Sequence, residues 1–160
     1  MDKKEIKFED FLMDVNPAYH EFVARINHFL LENGCKVKMD LAKSGYLVSY
    51  SDKKKRVISN FVFRKSGLVI RIYGDAVNKY NDFLETLPDG MVKAIEKAPV
   101  CKRLIDNTKC NSKCRMGYDF TLKGAHHQKC QYNCFMFTVN DENIPFISDF
   151  LKKELTARAV

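Results

Sequence analysis

Five of the six cysteines in this 160-residue chain fall in one stretch, at Cys101, Cys110, Cys114, Cys130 and Cys134, with the spacing C-x8-C-x3-C-x15-C-x3-C. Zinc takes four soft ligands in a tetrahedron, with Zn–S bonds of about 2.3 Å, so the sulfurs must converge within roughly 4 Å of one another. A pair of ligands close in sequence plus one or two from a distant hairpin is the usual solution. Cys110 and Cys114 are such a local pair, set in a polar segment with no hydrophobic period. Lys109, Lys113 and Arg115 beside them would lower the thiol pKa and offset the charge of a tetrathiolate centre.

The identity of the remaining ligands depends on the backbone. Cys130 and Cys134 form the obvious second pair, but Cys134 opens a strand-like run, Phe135-Met136-Phe137-Thr138-Val139. If residues 130–134 are extended, the two sulfurs stand about 13 Å apart at roughly 3.3 Å per residue and cannot share an ion. Cys101 is then the better partner. The expected set is Cys101, Cys110, Cys114 and Cys130, with Cys134 in reserve if the chain turns there. Four cysteines close the coordination sphere, which makes the zinc structural rather than catalytic. The alternatives are reduced cysteines buried as small hydrophobes, an iron–sulfur cluster or a redox thiol.

Other chemistry is thinly signalled. His20 and His28 lie on a helix, and His126 and His127 fall in an expected loop, where they stand as substitute ligands. The sequence has no glycine-rich phosphate loop, nucleophile elbow or H-E-x-x-H pattern, so nothing nominates an enzyme. Arg64, Arg71 and Tyr73 share an expected sheet face with Asn60, Val62 and Val69, and could line a groove for an anionic ligand. An ordinary half-exposed antiparallel sheet face explains the same pattern.

These residues must be held by a small set of elements. Asn16 can cap a helix that has Pro17 at its first position. Tyr19, Phe22, Val23, Ile26, Phe29 and Leu30 then recur at helical spacing, and Gly34 can end the helix. A shorter helical turn over 8–13 precedes it. Cys35, Val37 and Met39 alternate with Lys36, Lys38 and Asp40, which reads as a strand with one wet face. Residues 46–50 give a second strand, and 57–64 with 68–73 a hairpin turning at Ser66-Gly67, with Phe61, Phe63, Leu68, Ile70 and Ile72 on one face. Helical pieces follow from 75 to 106. A second hairpin is expected over 118–122 and 131–138, with Gly124, His126 and His127 in its loop. A last helix starts near Asn143 with Pro145 in its first turn.

The totals set the frame. Hydrophobic residues are 46% and charged residues 29%, which is ordinary for a globular protein, and the net charge is +7. The excess is local. Residues 51–135 hold 17 Lys/Arg against 8 Asp/Glu, while 1–50 hold 7 against 8 and 136–160 hold 3 against 4. A basic region attracts nucleic acid or another polyanion, although plain solubility charge has the same appearance. The turn Asp52-Lys53-Lys54-Lys55-Arg56 reads as a solvated loop. No stretch approaches the roughly 20 apolar residues of a membrane span, and the charged N-terminus has no signal-peptide pattern. A cytoplasmic location with reduced or metal-bound cysteines is the expectation.

The first two thirds, about residues 6–105, resembles the small bacterial YdhG-like domains. The likeness rests on the helix over 16–33, the strands with Ser44-Gly45-Tyr46 and Phe61-Val62-Phe63, and the helical segment after Gly74. The tail around Cys110, Cys114, Gly117, Phe120 and Cys130 is similar to an extension found in uncharacterised anaerobe proteins of this type. The resemblance implies a compact α/β fold and no established activity. The expected organisation is an α+β domain over 1–106, a mainly antiparallel sheet with helices on one face. A zinc-stabilised cysteine-rich hairpin and closing helix follow over 107–160. Two functional expectations stand: a non-enzymatic binding module for an anionic small molecule or nucleic acid, and a thiol-dependent redox protein or enzyme.

Overall fold

A computed structural model describes residues 5–106, 108 and 117–159. The fold is α+β, with a five-stranded sheet in the order β1-β2-β3-β4-β7 and a separate two-stranded sheet, β5-β6. The chain divides into two compact units, one of residues 1–70 with 138–140, the other of 71–137 with 141–160. The expected boundary at 106/107 falls inside the second unit.

The first unit begins with helix α1 (Phe8–Asp14). The Asn16 Oδ1 accepts the Ala18 N–H at 3.0 Å, and a short 3-10 turn over Pro17–Tyr19 leads into α2 (His20–Glu32), as the cap and the apolar spacing predict. Gly34 ends α2 at a φ of 86°, a conformation that glycine adopts without strain. Strands β1 (Lys36–Ala42) and β2 (Gly45–Ser51) pair antiparallel, with Val37 opposite Tyr50 and Met39 opposite Val48. Strand β3 (Val57–Arg64) pairs with β2 through Val48↔Phe61 and Tyr50↔Ser59. The helices cover this face: Phe11 packs on Phe61 and Phe63 with ring centroids 5.7 Å apart, and the Tyr50 hydroxyl donates to Asn27 at 2.7 Å. Strand β4 spans Gly67–Ile72, so the turn is Lys65–Ser66, one position before the expected Ser66–Gly67. β1 departs from expectation. Met39 is half-exposed and its other positions are exposed, so this strand has no buried face.

The second unit holds 3-10 turns at Val77–Lys79 and Asn81–Thr86, helix α3 (Asp89–Lys97), the single turn α4 (Lys102–Ile105) and the hairpin β5 (Tyr118–Leu122) and β6 (Ala125–Lys129). Strand β7 (Met136–Thr138) and helix α5 (Ile144–Arg158) complete the described chain. The unit's core is aromatic: Phe135 packs on Tyr118, Phe120 and Phe150 at centroid distances of 5.1, 5.6 and 5.1 Å. The expected hairpin partner over 131–138 is corrected here. β5 pairs with residues 125–129, with Thr121 opposite His126, and the turn is Lys123–Gly124. Both turn residues have positive φ, 52° and 77°, the combination that joins right-twisted strands through two residues. His126 and His127 are thus strand residues, and β7 joins the large sheet.

Candidate metal centre

The cysteine-bearing backbone is organised by a bridge outside the named strands. Val100 pairs antiparallel with Lys129, at the end of β6. The Cys101 N–H donates to the Gln128 carbonyl at 2.8 Å, and the Cys130 N–H to the Pro99 carbonyl at 3.0 Å. Side chains alternate along extended chain, so Cys101 and Cys130 lie on the same side of this ribbon, diagonally related, with Val100 and Lys129 on the other. Cys101 is buried and Cys130 half-buried.

Gly117 closes against this pair. Its N–H donates to the Cys101 Sγ at 3.3 Å. A Cβ there would stand 2.0 Å from the Lys129 carbonyl oxygen and 3.0 Å from the Cys101 Cβ, so only glycine permits the approach. The chain thus leaves Cys101 through α4 and returns to it at Gly117. Cys110 and Cys114, the expected local pair, lie in the intervening stretch, outside the described residues.

Residues 130–134 are not extended. The N–H groups of Asn133 and Cys134 both donate to the Cys130 carbonyl, at 3.2 and 2.9 Å, and the Asn133 amide reaches the Cys130 Sγ at 3.8 Å. This is the turn that kept Cys134 in reserve. Cys134 itself has no exposed surface, and burial pushes its thiol pKa well above the ordinary value. Cys35, the sixth cysteine, is buried in the first unit. Among the described residues no three His, Cys, Asp or Glu side chains form a group that could hold a metal ion.

The remaining expected residues are placed as follows. The His126 Nε2 lies 2.5 Å from an Asp119 carboxylate oxygen, and Gln128 donates to the other oxygen at 3.2 Å, on the exposed face of the hairpin. These bonds hold the Asp119 carboxyl below its usual pKa. His127 lies against Phe120, and partial burial lowers its pKa. His20 bonds the Val15 carbonyl at 2.6 Å, and His28 pairs with Glu32 at 3.0 Å. Arg64 is exposed in the first unit, with Nη1 donating to the Phe63 carbonyl at 3.2 Å. In the second unit, Arg71 and Tyr73 meet at Tyr132. The Arg71 Nε donates to the Tyr132 carbonyl at 2.6 Å, and the Tyr73 ring stands edge-on to the Tyr132 ring at 6.3 Å. The face expected to line a groove is closed, because Asn60, Val62, Val69 and Tyr73 are all buried. Arg71 and Tyr73 hold the turn that carries Cys130 and Cys134.

Two buried charged groups were not legible in the sequence. Lys129 is 7% exposed, and its ammonium donates to the carbonyls of Glu96 and Ala98 at 2.9 and 2.8 Å, at the end of α3. Glu154, on the inner side of α5, is fully buried. It accepts from the Ala76 N–H at 3.1 Å, from the Tyr80 hydroxyl and from the Arg158 Nε at 2.6 Å. Arg158 also reaches Asp75 at 3.4 Å and the Tyr73 carbonyl at 2.7 Å. A Glu four residues before an Arg is the only local trace of this network. Comparison with protein-family models, with curated proteins and with solved structures finds no match for this chain.

Proposed function

We propose that this chain is a non-enzymatic binding module whose second unit is stapled by a structural zinc ion on Cys101, Cys110, Cys114 and Cys130. The observation that carries the reading is the Val100–Lys129 bridge, which sets Cys101 and Cys130 on one side of a two-stranded ribbon. The docking of Gly117 on Cys101 supports it, since the chain comes back to the Cys101 sulfur directly after the segment holding Cys110 and Cys114. The turn at 130–134 removes the separation that set Cys134 aside and keeps it as the reserve ligand, while the Gly117 N–H on the Cys101 sulfur supports Cys101 as the fourth. The full burial of Cys134 disfavours it as a redox nucleophile, because a reactive thiol needs exposure and a low pKa. The ligand class we propose is a polyanion or small anion, on the strength of the 17 Lys/Arg against 8 Asp/Glu in residues 51–135. The resemblance to YdhG-like domains is part of the same proposal.

Metal analysis with thiol titration and a thermal melt before and after chelation tests it. About one zinc per chain, protected thiols and a melt that collapses on chelation are expected for a closed four-cysteine site. No metal, with freely reactive thiols, overturns the zinc staple. Titration with a nucleic acid at rising salt tests the ligand class, and a polyanion site weakens steeply with salt.

A further inference from the structure

Strand β1 is an open edge of the large sheet: β2 lies on one side of it and no strand among the described residues on the other. Only Lys43 and Ser44 separate Ala42 from its partner Gly45, so that pair must exchange the first ladder hydrogen bonds. Those bonds then recur at Asp40, Lys38 and Lys36. The N–H and C=O groups of Val37, Met39 and Leu41 therefore point outward along the open edge. Unpaired edge groups of this kind are a template for another strand. The side chains on the edge are accessible too, with Val37 39% and Leu41 69% exposed.

A second copy of β1 fits this edge best in one register. Antiparallel pairing about a two-fold axis at Met39 sets Met39 opposite itself, Val37 opposite Leu41 and Lys38 opposite Asp40, the last two twice over. An axis at Lys38 makes two Lys36–Asp40 pairs but sets ammonium against ammonium at its centre and leaves Leu41 without an apolar partner within the strand, and one at Val37 sets Lys36 against Lys38. An axis at Asp40 brings two carboxylates together, and one at Leu41 makes no ion pair. An axis between residues faces outward-pointing groups with inward-pointing ones and breaks the ladder. Within one copy Lys38 and Asp40 lie only 4.0 Å apart, with side chains 80% and 51% exposed, so both remain available across the edge. Opposite charges directly across a strand pair stabilise it and like charges destabilise it.

We propose that this chain self-associates as a two-fold dimer through antiparallel pairing of its β1 edges, in the register centred on Met39. The contact is a few residues long, smaller than a permanent interface, so the dimer forms reversibly with concentration. Sedimentation equilibrium of the full chain from micromolar to millimolar concentration tests it. A monomer–dimer equilibrium is expected. Lys38→Glu and Asp40→Lys each weaken it about tenfold, because two cross-strand pairs change from opposite to like charge. The double variant restores it. Met39→Pro removes an outward N–H that no strand among the described residues pairs with, and abolishes the dimer. A chain that stays monomeric throughout overturns the proposal. So does a dimer that the double swap fails to recover after the single ones, and this charge swap decides the question whatever Met39→Pro does to the fold.

Discussion

At the scale of single residues, the cysteine stretch depends on a position that has no side chain. Gly117 lies against the Lys129 carbonyl so closely that a methyl group would stand 2.0 Å from the oxygen, a backbone atom that cannot swing aside. Gly117→Ala is therefore expected to destabilise the protein by about 1–3 kcal/mol, the usual cost of overpacking, and to loosen the N–H bond to the Cys101 sulfur. Gly90 is the control. It lies in α3 with nothing within 4 Å of a added Cβ, so Gly90→Ala should be neutral or stabilising by up to about 1 kcal/mol. Urea unfolding of the two variants checks both signs. Equal effects would mean that the close approach at Gly117 carries no energetic weight.

At the scale of elements, α5 shows how a helix face mixes apolar packing with one paired charge. Ile147, Phe150, Leu151 and Ala157 are buried on it beside Glu154, whose carboxylate is enclosed by the Ala76 N–H, the Tyr80 hydroxyl and Arg158. Glu154→Ala should cost about 3–5 kcal/mol, because it leaves the Ala76 N–H and the Tyr80 hydroxyl without their acceptor and takes from Arg158 one of its two carboxylates. Glu154→Gln, which keeps the shape and part of the bonding, should cost less. A urea midpoint for Glu154→Ala equal to the wild type would exclude the network as a stabilising element. Elements whose signals are local were legible in the sequence: the Asn16–Pro17 start of α2, its stop at Gly34, the run of four strands, and the closing helix after Asn143. The pairing of β5 with β6 is not legible locally, because its turn, Lys123–Gly124, needs positive φ at a lysine, a residue that rarely adopts it. The inward aim of Glu154 and the closure of the sheet face at Val62 and Val69 depend on contacts between distant segments, which no local period encodes. Of the cysteines, Cys101 and Cys130 are seen on one side of a ribbon, and Cys110 and Cys114 lie outside the described residues. The turn at 130–134 has no strong turn dipeptide to announce it, so the sequence allows both an extended and a turned course there.

At the scale of the whole molecule, both units bury groups that ionise in alkali. Tyr50 belongs to the first unit, and Tyr80, Tyr118 and Cys134 to the second. Burial raises the pKa of all four, and Glu154 raises that of Tyr80 further. Below about pH 7.5 these groups hold their protons in both folded and unfolded chains and leave stability unchanged. Above that, Cys134 and then, near pH 10, the tyrosines ionise first in the unfolded chain, where their pKa values are ordinary. The folded state then binds more protons, so stability falls as pH rises, by about 1.4 kcal/mol per pH unit for each group that has titrated in the unfolded chain. Urea midpoints measured between about pH 8 and about pH 11 should therefore decline with a steepening slope. Tyr50→Phe should begin from a lower stability, having lost its bond to Asn27, and decline less steeply by one group's share. A midpoint that stays flat through this range would mean that these hydroxyls and the thiol reach water in the folded protein. It would also undercut the closed core on which the cysteine ribbon rests.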